Sequence, residues 1–223
     1  MPKTEEASQD LAEIKAQELA NIEAQMEADA KAMQESLVVS TSRISNAGKQ
    51  FTLPDGTVIG PKLEAVILGY ADASALYPPN YDPNNIQPPI CYAIGKANEP
   101  LIPNAKVEKP EAPTCEECPN NEYGSASVGQ GKACKNEYQI AVIVPGHTET
   151  PVTLCVSATG RKGFNSSMSA ILKSFGHPSK AIITAEFTDA AYPVVKITGG
   201  KPNPDAVMHY NMAADAVQTL LDQ

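Results

Sequence analysis

Residues 115–135 read CEECPNNEYGSASVGQGKACK, and this stretch decides the architecture expected for the whole chain. Cys115 and Cys118 are separated by two residues, Cys134 follows after fifteen more, and a fourth cysteine lies upstream at Cys91. Four thiolates are the ligand set of a tetrahedral structural zinc site, in which a C-x2-C turn supplies two ligands from one tight loop. The spacing therefore predicts a structural zinc ion that ties down a loop with little apolar mass to bury.

Other uses of the cysteines stay open at this point. Cys91 lies in a short apolar run, residues 90–94, where a cysteine also serves as a small buried hydrophobe. An iron–sulfur cluster takes four cysteines as well. Cys155 stands alone in an alternating strand-like run, so we expect a core thiol there. Because five cysteines are an odd number and the sequence offers no signal peptide, we expect reduced thiols in a cytosol rather than disulfides.

The negative charge of the chain is concentrated at its start. The formal net charge is −9, and residues 1–36 hold nine acidic against three basic side chains, which is −6 of that total. The remaining residues carry only −3 and leave room for local basic patches. No apolar run approaches the roughly 18 residues that a membrane-spanning helix needs, so we expect a soluble protein without a membrane partner.

Composition divides the chain into an acidic helical arm, residues 1–37, and a β domain, residues 38–223. The arm is rich in Ala, Glu, Gln and Met, which favours a helix with a thin apolar stripe. Two interpretations stay open for it. It is either a solvated or disordered segment, or a helix that packs on a partner protein or on a second copy of the chain, which makes a homo-oligomer an open alternative.

Short alternating strands dominate the second part. Residues 50–59 carry a Pro-Asp-Gly turn that is typical of a hairpin, and residues 62–70 predict a longer central strand. Further strands are expected near residues 138–144, 152–158, 181–188 and 194–198. Helices are expected at residues 165–176 and 205–221, and the apolar face of the second is expected to consist of Val207, Tyr210, Ala214, Val217 and Leu221.

This pattern predicts a mainly β fold with flanking α-helices. The best match is an OB-like Greek-key barrel with a zinc-knuckle insertion at about residues 91–135 and helices at both ends. A β-sandwich is the alternative, because short alternating strands do not distinguish the two.

The sequence offers few patterns that are typical of catalysis. The histidines His147, His177 and His209 have no metal-type spacing and are expected at the surface. Residues 129–132 resemble a phosphate loop, but Ala126 and Ala133 stand where the Walker pattern needs Gly and Ser or Thr. Without a nucleophile, base or cofactor motif, we do not expect an enzyme.

Basic side chains occur in glycine-rich turns and beside aromatic rings. Cations that track phosphates, together with rings that stack on bases, are typical of a groove for unpaired nucleic acid. The alternative is that the rings pack in the core and the cations are ordinary solvated charges. The candidate contact residues are Lys132, Lys135, Arg161, Lys162, Tyr92, Lys96, Tyr123 and Phe164.

The order of several motifs resembles a family of tailed-bacteriophage proteins described as single-stranded DNA-binding. The matching stretches are residues 81–83, 88–93, 115–126 and 129–135, within a resemblance that spans about residues 51–187. The resemblance implies an OB-like core, a metal set of Cys91, Cys115, Cys118 and Cys134, and a role in phage DNA replication or recombination in the cytosol of the bacterial host.

The leading hypothesis is therefore a sequence-tolerant single-stranded DNA-binding protein with structural zinc. In it, the metal fixes the insertion so that Lys132, Lys135, Arg161 and Lys162 face one groove. Replication or recombination proteins are expected to bind through the acidic arm or the C-terminal helix. The competing hypothesis is a zinc-stabilised structural or adaptor protein that binds other proteins and no nucleic acid.

Overall fold

The computed structural model describes residues 42–79, 87–127 and 129–223, together with three helical positions, Ile22, Gln25 and Met26. The chain divides into two units, residues 1–41 and 42–223. The expected acidic arm and residues 81–83 of the family resemblance therefore lie outside the described residues, except for those three positions. Ile22 and Met26 are exposed.

A six-stranded antiparallel sheet is the centre of the second unit. Its order is β6-β5-β3-β7-β8, and β4 also pairs with β3. A separate two-stranded hairpin, β1-β2, closes through the expected Pro-Asp-Gly turn, where the Thr57 N–H donates to Asp55 Oδ1 at 2.8 Å. The strands are β1 (Phe51–Thr52), β2 (Val58–Gly60), β3 (Lys62–Leu76), β4 (Cys91–Lys96), β5 (Lys135–Ile143), β6 (Val152–Ser157), β7 (Ala181–Phe187) and β8 (Val195–Pro202).

The mainly β class is confirmed, but the closed barrel is not. Within the described residues the hydrogen-bonded order runs from β6 at one end to β8 at the other, and no pairing of these two strands closes the sheet. The outer edge of β6 is covered instead by the segment before β1, since the Ile44 N–H donates to Thr153 O and the Thr153 N–H donates to Ser42 O.

Strand β3 organises the sheet because it is long enough to pair with three others. Along one edge it pairs with β5, while the other edge is shared by β7 on residues 62–66 and β4 on residues 71–76. The register with β5 shifts between Ile67 and Gly69. At Gly69 a Cβ atom would collide with Val217, so the bulge and the missing side chain together let a helix approach the strand.

Two helices cover opposite faces of the sheet. Helix α1 (Arg161–Phe175) buries Phe164, Met168 and Ile171 in the larger core cluster and ends at Gly176, whose φ of 79° supplies the left-handed cap. Helix α2 (Ala206–Leu221) packs Ala216 and Leu220 into the second cluster, against residues of β3 and β5.

The apolar face expected for α2 is confirmed only in its last turns, where Val217 meets Gly69 and Leu221 packs against the second cluster. Val207 and Tyr210 are exposed, whereas His209, Ala216 and Leu220 are buried. Apolar side chains surround most of this helix, so periodicity alone does not select the inner face. His209, expected at the surface, is 5% exposed because Asn203 lies 2.8 Å from its Nδ1 atom and satisfies it inside the fold.

Candidate metal centre and nucleic-acid interface

Four of the five cysteines line one small cavity beside the end of β3. Cys91 begins β4 opposite Leu76, and Cys115, Cys118 and Cys134 reach the same cavity from the insertion. The cavity volume is about 10 Å³, which is the space of a single atom-sized occupant. Cys155 does not line it and lies instead on β6 opposite Gln139.

The four thiols influence one another electrostatically. Burial and the neighbouring thiols raise the pKa of Cys115, and the same causes raise the pKa of Cys134 to about 12, with a hydrogen bond to the Cys118 thiol adding to the effect. Burial also raises the pKa of Cys155, but there the electrostatic neighbours are Glu137 and Arg43. The Cys91, Cys115, Cys118 and Cys134 thiols thus form one group, and the fifth belongs to another environment.

The four cysteines lie near one another but do not form a complete metal site. Among the described residues, no group of three or more His, Cys, Asp or Glu side chains has an arrangement that could hold a metal ion. The shared cavity and mutual pKa effects show four thiols that face one another without being closed around a centre. Glu111 also lines the cavity, and one of its carboxylate oxygens accepts a hydrogen bond from Asn120 Nδ2 at 3.0 Å. As a donor set, the four thiols fit zinc and other soft, thiolate-binding centres rather than magnesium or calcium.

Backbone hydrogen bonds fold the insertion around these cysteines. The Cys115 N–H donates to Leu101 O and the Cys134 N–H donates to Asn120 O, both at 2.9 Å. After Cys118, Pro119 begins a 3₁₀ turn in which the Asn121 N–H donates to Cys118 O at 2.9 Å. These main-chain contacts help to bring the C-x2-C segment and the third cysteine together, and the Ser125 hydroxyl adds to them by donating to Asn120 O and accepting from the Ala133 N–H.

Asn121 connects the insertion to the sheet, a role the sequence patterns did not indicate. Its Nδ2 donates to Cys115 O at 2.7 Å, and its Oδ1 accepts from Asn136 Nδ2 at 2.8 Å and from Lys132 Nζ at 3.3 Å. Asn136 lies on β5 and also hydrogen-bonds Ser74 on β3. The only sequence signal for this role is an asparagine in the turn after the C-x2-C pair.

Three of the candidate contact residues share one face of the sheet. Ala75 of β3 stands opposite Tyr92 of β4 on one side and Lys135 of β5 on the other, and Ala71 stands opposite Lys96. Directly paired residues in an antiparallel sheet point to the same side, so Tyr92 and Lys135 lie on either side of Ala75. Ala71, opposite Lys96, is buried in the second core cluster with Ala216 and Leu220 of α2, so Lys96 lies beside the part of this face that the helix covers. Lys96 and Lys135 are exposed, and Tyr92 is half-buried.

Tyr77 joins this surface and was missed in the sequence analysis. Lys135 Nζ lies 5.0 Å from the centre of the Tyr77 ring, which is 37% exposed. Its position directly before Pro78 and Pro79, at the end of a predicted strand, was the available signal. We call the surface formed by Tyr77, Tyr92, Lys96 and Lys135 the tyrosine–lysine face.

A carboxylate group also lies beside these residues on the same side of the sheet. Glu137 stands opposite Ala73, between the positions of Lys135 and Gln139 on β5. Its Oε1 atom accepts a hydrogen bond from Arg43 at 2.8 Å, and this ion pair neutralises its charge. The tyrosine–lysine face therefore keeps its positive character.

Arg161 and Phe164 do not belong to that face, which corrects the expectation of one shared groove. Arg161 forms an ion pair with Asp72, donates to Glu137 O at 2.8 Å and stacks over the Tyr138 ring at 4.3 Å. Phe164 is 1% exposed and lies 5.0 Å from the Tyr70 ring in an edge-to-face contact, so it has no surface to offer a base. Phe164 belongs to the core beneath α1, and Arg161 lies half-buried at the edge of that core over Tyr138.

The other three candidates lie elsewhere on the surface. Lys162 is exposed in the first turn of α1, on the helix that covers the opposite face of the sheet from α2. Lys132 and Tyr123 lie in the insertion, where Lys132 contacts Asn121 and the Tyr123 ring is 76% exposed. These two residues remain candidates, because the insertion is attached to the end of the sheet where Tyr92 and Lys135 lie.

No helix among the described residues has the length and apolar character needed to cross a bilayer. Comparisons of the chain with protein-family models, curated proteins and solved structures find no match.

Proposed function

We propose that this protein binds single-stranded DNA without sequence preference, has no catalytic role, and uses four cysteines to hold a structural zinc ion. The observation that carries the proposal is the tyrosine–lysine face. It offers two partly accessible rings and two exposed cations on neighbouring strands of one sheet.

Its chemistry suits unpaired strands. A tyrosine ring stacks on any base because every base has a π face, and stacking needs a base that is free of a duplex partner. Lys96 and Lys135 supply charge for phosphates on either side of Tyr92. No hydrogen-bonding pattern for a particular base is needed, so the expected binding is tolerant of sequence.

Zinc would be held by Cys91, Cys115, Cys118 and Cys134. When bound, the ion supplies a cross-link between the insertion and the first residue of β4, which also carries Tyr92 and Lys96. The main-chain hydrogen bonds of Cys115 and Cys134, together with Asn121, hold the insertion near the position that this cross-link requires. We expect the ion to stabilise the insertion rather than to take part in a reaction.

The finer features of the proposal come from the family resemblance. OB folds are partly open Greek-key barrels that bind oligonucleotides across a strand face, and we propose the sheet described here as an open variant of that plan. We further propose that the protein acts in phage DNA replication or recombination in the cytosol of a bacterial host. The acidic arm and α2 are the proposed contacts for partner proteins.

The test for DNA binding is a salt titration with labelled oligo-dT, beside the same sequence as a duplex. We expect measurable binding of the single strand at low salt, with log affinity falling by about 0.7 per log unit of salt for each phosphate neutralised. Absence of binding at the lowest salt would contradict the proposal and favour the adaptor hypothesis. Preference for the duplex would also contradict it.

The test for the metal is elemental analysis of the purified protein and of two cysteine variants. We expect one zinc per chain in the wild type and in Cys155→Ser, and its loss in Cys118→Ser together with rapid proteolysis within the insertion. Iron with acid-labile sulfide would identify a cluster in place of zinc. A folded wild-type protein without any metal would contradict this part.

A further inference from the structure

A pocket separate from the cysteine cavity lies between the 3₁₀ turn Pro178–Lys180 and the first turn of α2. Its volume of about 360 Å³ is in the range of small-molecule sites. It is lined by His177, Ser179, Lys180, Ala206, Val207 and Tyr210.

The pocket lies at the far end of α2 from the insertion. Gln223 O, just after the end of the helix, accepts a hydrogen bond from Asn104 in the insertion at 3.3 Å. The pocket is at the opposite terminus, and a helix of 16 residues is about 24 Å long. A ligand here would therefore be bound independently of the cysteines.

Ser179 provides a buried hydroxyl group that lacks a hydrogen-bond partner. The residue is fully buried, and its Oγ atom makes no hydrogen bond. The polar groups around it do have hydrogen-bond partners. Asn203 Nδ2 donates to Ser179 O at 2.6 Å and lies 2.8 Å from His209 Nδ1. Asn203 Oδ1 accepts from the Asp205 N–H at 3.1 Å. Because buried polar groups are nearly always paired, this unpaired hydroxyl is a candidate donor for a ligand in the pocket that Ser179 lines.

The start of α2 adds a second attraction for an acceptor. The unpaired N–H groups of a first helical turn carry partial positive charge and are a common phosphate site. Asp205 at the N-cap position makes no side-chain capping bond, so it does not occupy those N–H groups. Lys180 is exposed at the rim, and His177 Nδ1 accepts from the Ser179 N–H at 3.2 Å, which leaves Nε2 as the free ring atom.

The apolar part of the lining distinguishes an organic phosphate from a bare ion. The Tyr210 ring is 60% exposed and is held edge-to-face against His177, with ring centres 5.0 Å apart. Val207, one turn earlier, is 76% exposed. A flat ring attached to a phosphate would cover both.

We propose that this pocket binds a nucleoside monophosphate. The α2 N-terminus and Lys180 neutralise the charge of the phosphate, the Ser179 hydroxyl rotates from its buried position to donate to it, and Tyr210 stacks on the base. This site is additional to the tyrosine–lysine face and does not depend on it.

Calorimetric titration of the full chain tests the assignment with three probes: thymidine monophosphate, inorganic phosphate and thymidine. We expect the nucleotide to bind more tightly than phosphate, and thymidine not to bind. Ser179→Ala should weaken nucleotide binding about tenfold or more, since it removes a hydrogen bond to a charged acceptor. Lys180→Gln should also weaken it, and Tyr210→Ala should reduce nucleotide affinity to that of phosphate.

Lys162→Gln is the matched control, because it removes the same charge from the first turn of the other helix and should leave nucleotide binding unchanged. Lys180 is exposed, so its variant keeps the test valid even if Ser179→Ala perturbs folding. Three results would each overturn the proposal: thymidine binding as tightly as the nucleotide, no binding of nucleotide or phosphate at millimolar concentration, or equal weakening by Lys162→Gln and Lys180→Gln. Oligo-dT binding is measured in parallel, and its presence or absence tests the proposed function separately.

Discussion

Replacing Lys96 and Lys135 together by glutamine should reduce the salt dependence of DNA binding by a defined amount. Both side chains are exposed on the tyrosine–lysine face, on strands that flank β3. If each neutralises one phosphate of a single strand, the slope of log affinity against log salt becomes shallower by about 1.4. Affinity should fall most at low salt, where the release of counterions contributes most to binding.

The assay is fluorescence anisotropy with labelled oligo-dT at five or more salt concentrations. The matched control is Lys162→Gln with Lys173→Gln, which removes the same charge from exposed positions of α1. We expect the control to keep the wild-type slope, since α1 covers the other face of the sheet. Exposed substitutions of this kind change stability by no more than about 0.5 kcal/mol, so both variants should remain folded.

Two results would refute the reasoning. An unchanged slope in the Lys96 and Lys135 variant would mean that these cations do not meet phosphates. An equal change in the control would mean that only the net charge of the protein matters, and that the common face of Tyr92, Lys96 and Lys135 has no special role.

Three further predictions concern the fold. Phe164→Ala should lower the free energy of unfolding by about 3–5 kcal/mol, measured by denaturant titration, and leave the DNA affinity of the folded protein unchanged, because the ring is in the core; a selective loss of DNA binding would contradict its burial. Gly69→Ala should destabilise the protein, because the added methyl group meets Val217 on α2, and a melting temperature equal to the wild type would contradict that close approach. Hydrogen bonds from Lys196 and Lys62 lower the pKa of Glu186, so the stability that this carboxylate contributes is present above its unfolded-state pKa and is lost as pH falls through the lower folded-state pKa. Glu186→Gln should therefore flatten the acid side of a plot of unfolding free energy against pH. An unchanged plot would contradict this.

Local sequence signals predicted much of the fold. The hairpin turn at residues 54–56, the central strand from Lys62 and the C-terminal helix all depend on neighbouring residues, and each is present. Closure of the sheet depends on how distant strands meet, for which the sequence offered no signal. The central strand also continues to Leu76, beyond the expected residue 70, because β4 and β5 both pair with its second half.

The candidate site was also predicted only in part, because local sequence patterns do not show how distant elements meet. Cysteine count and spacing grouped Cys91 with Cys115, Cys118 and Cys134, and all four line one cavity. Arg161 and Phe164 looked like a surface pair because both follow a glycine-rich turn. Helix α1 begins earlier than expected, at Arg161, and this start places Phe164 on its buried stripe. Which side of a helix meets the sheet is a tertiary property that the local pattern did not contain.

The division of one β3 edge between β7 and β4 has a consequence for unfolding. Among the described residues, β4 is the one strand that pairs with the last six residues of β3 on this side, while β7 and β8 pair further along the sheet. If the proposed zinc ion holds the insertion, its removal by a chelator should release β4 first and leave a bare row of main-chain donors and acceptors on an otherwise intact molecule. Such a row readily recruits another extended chain, so self-association should appear well before global denaturation.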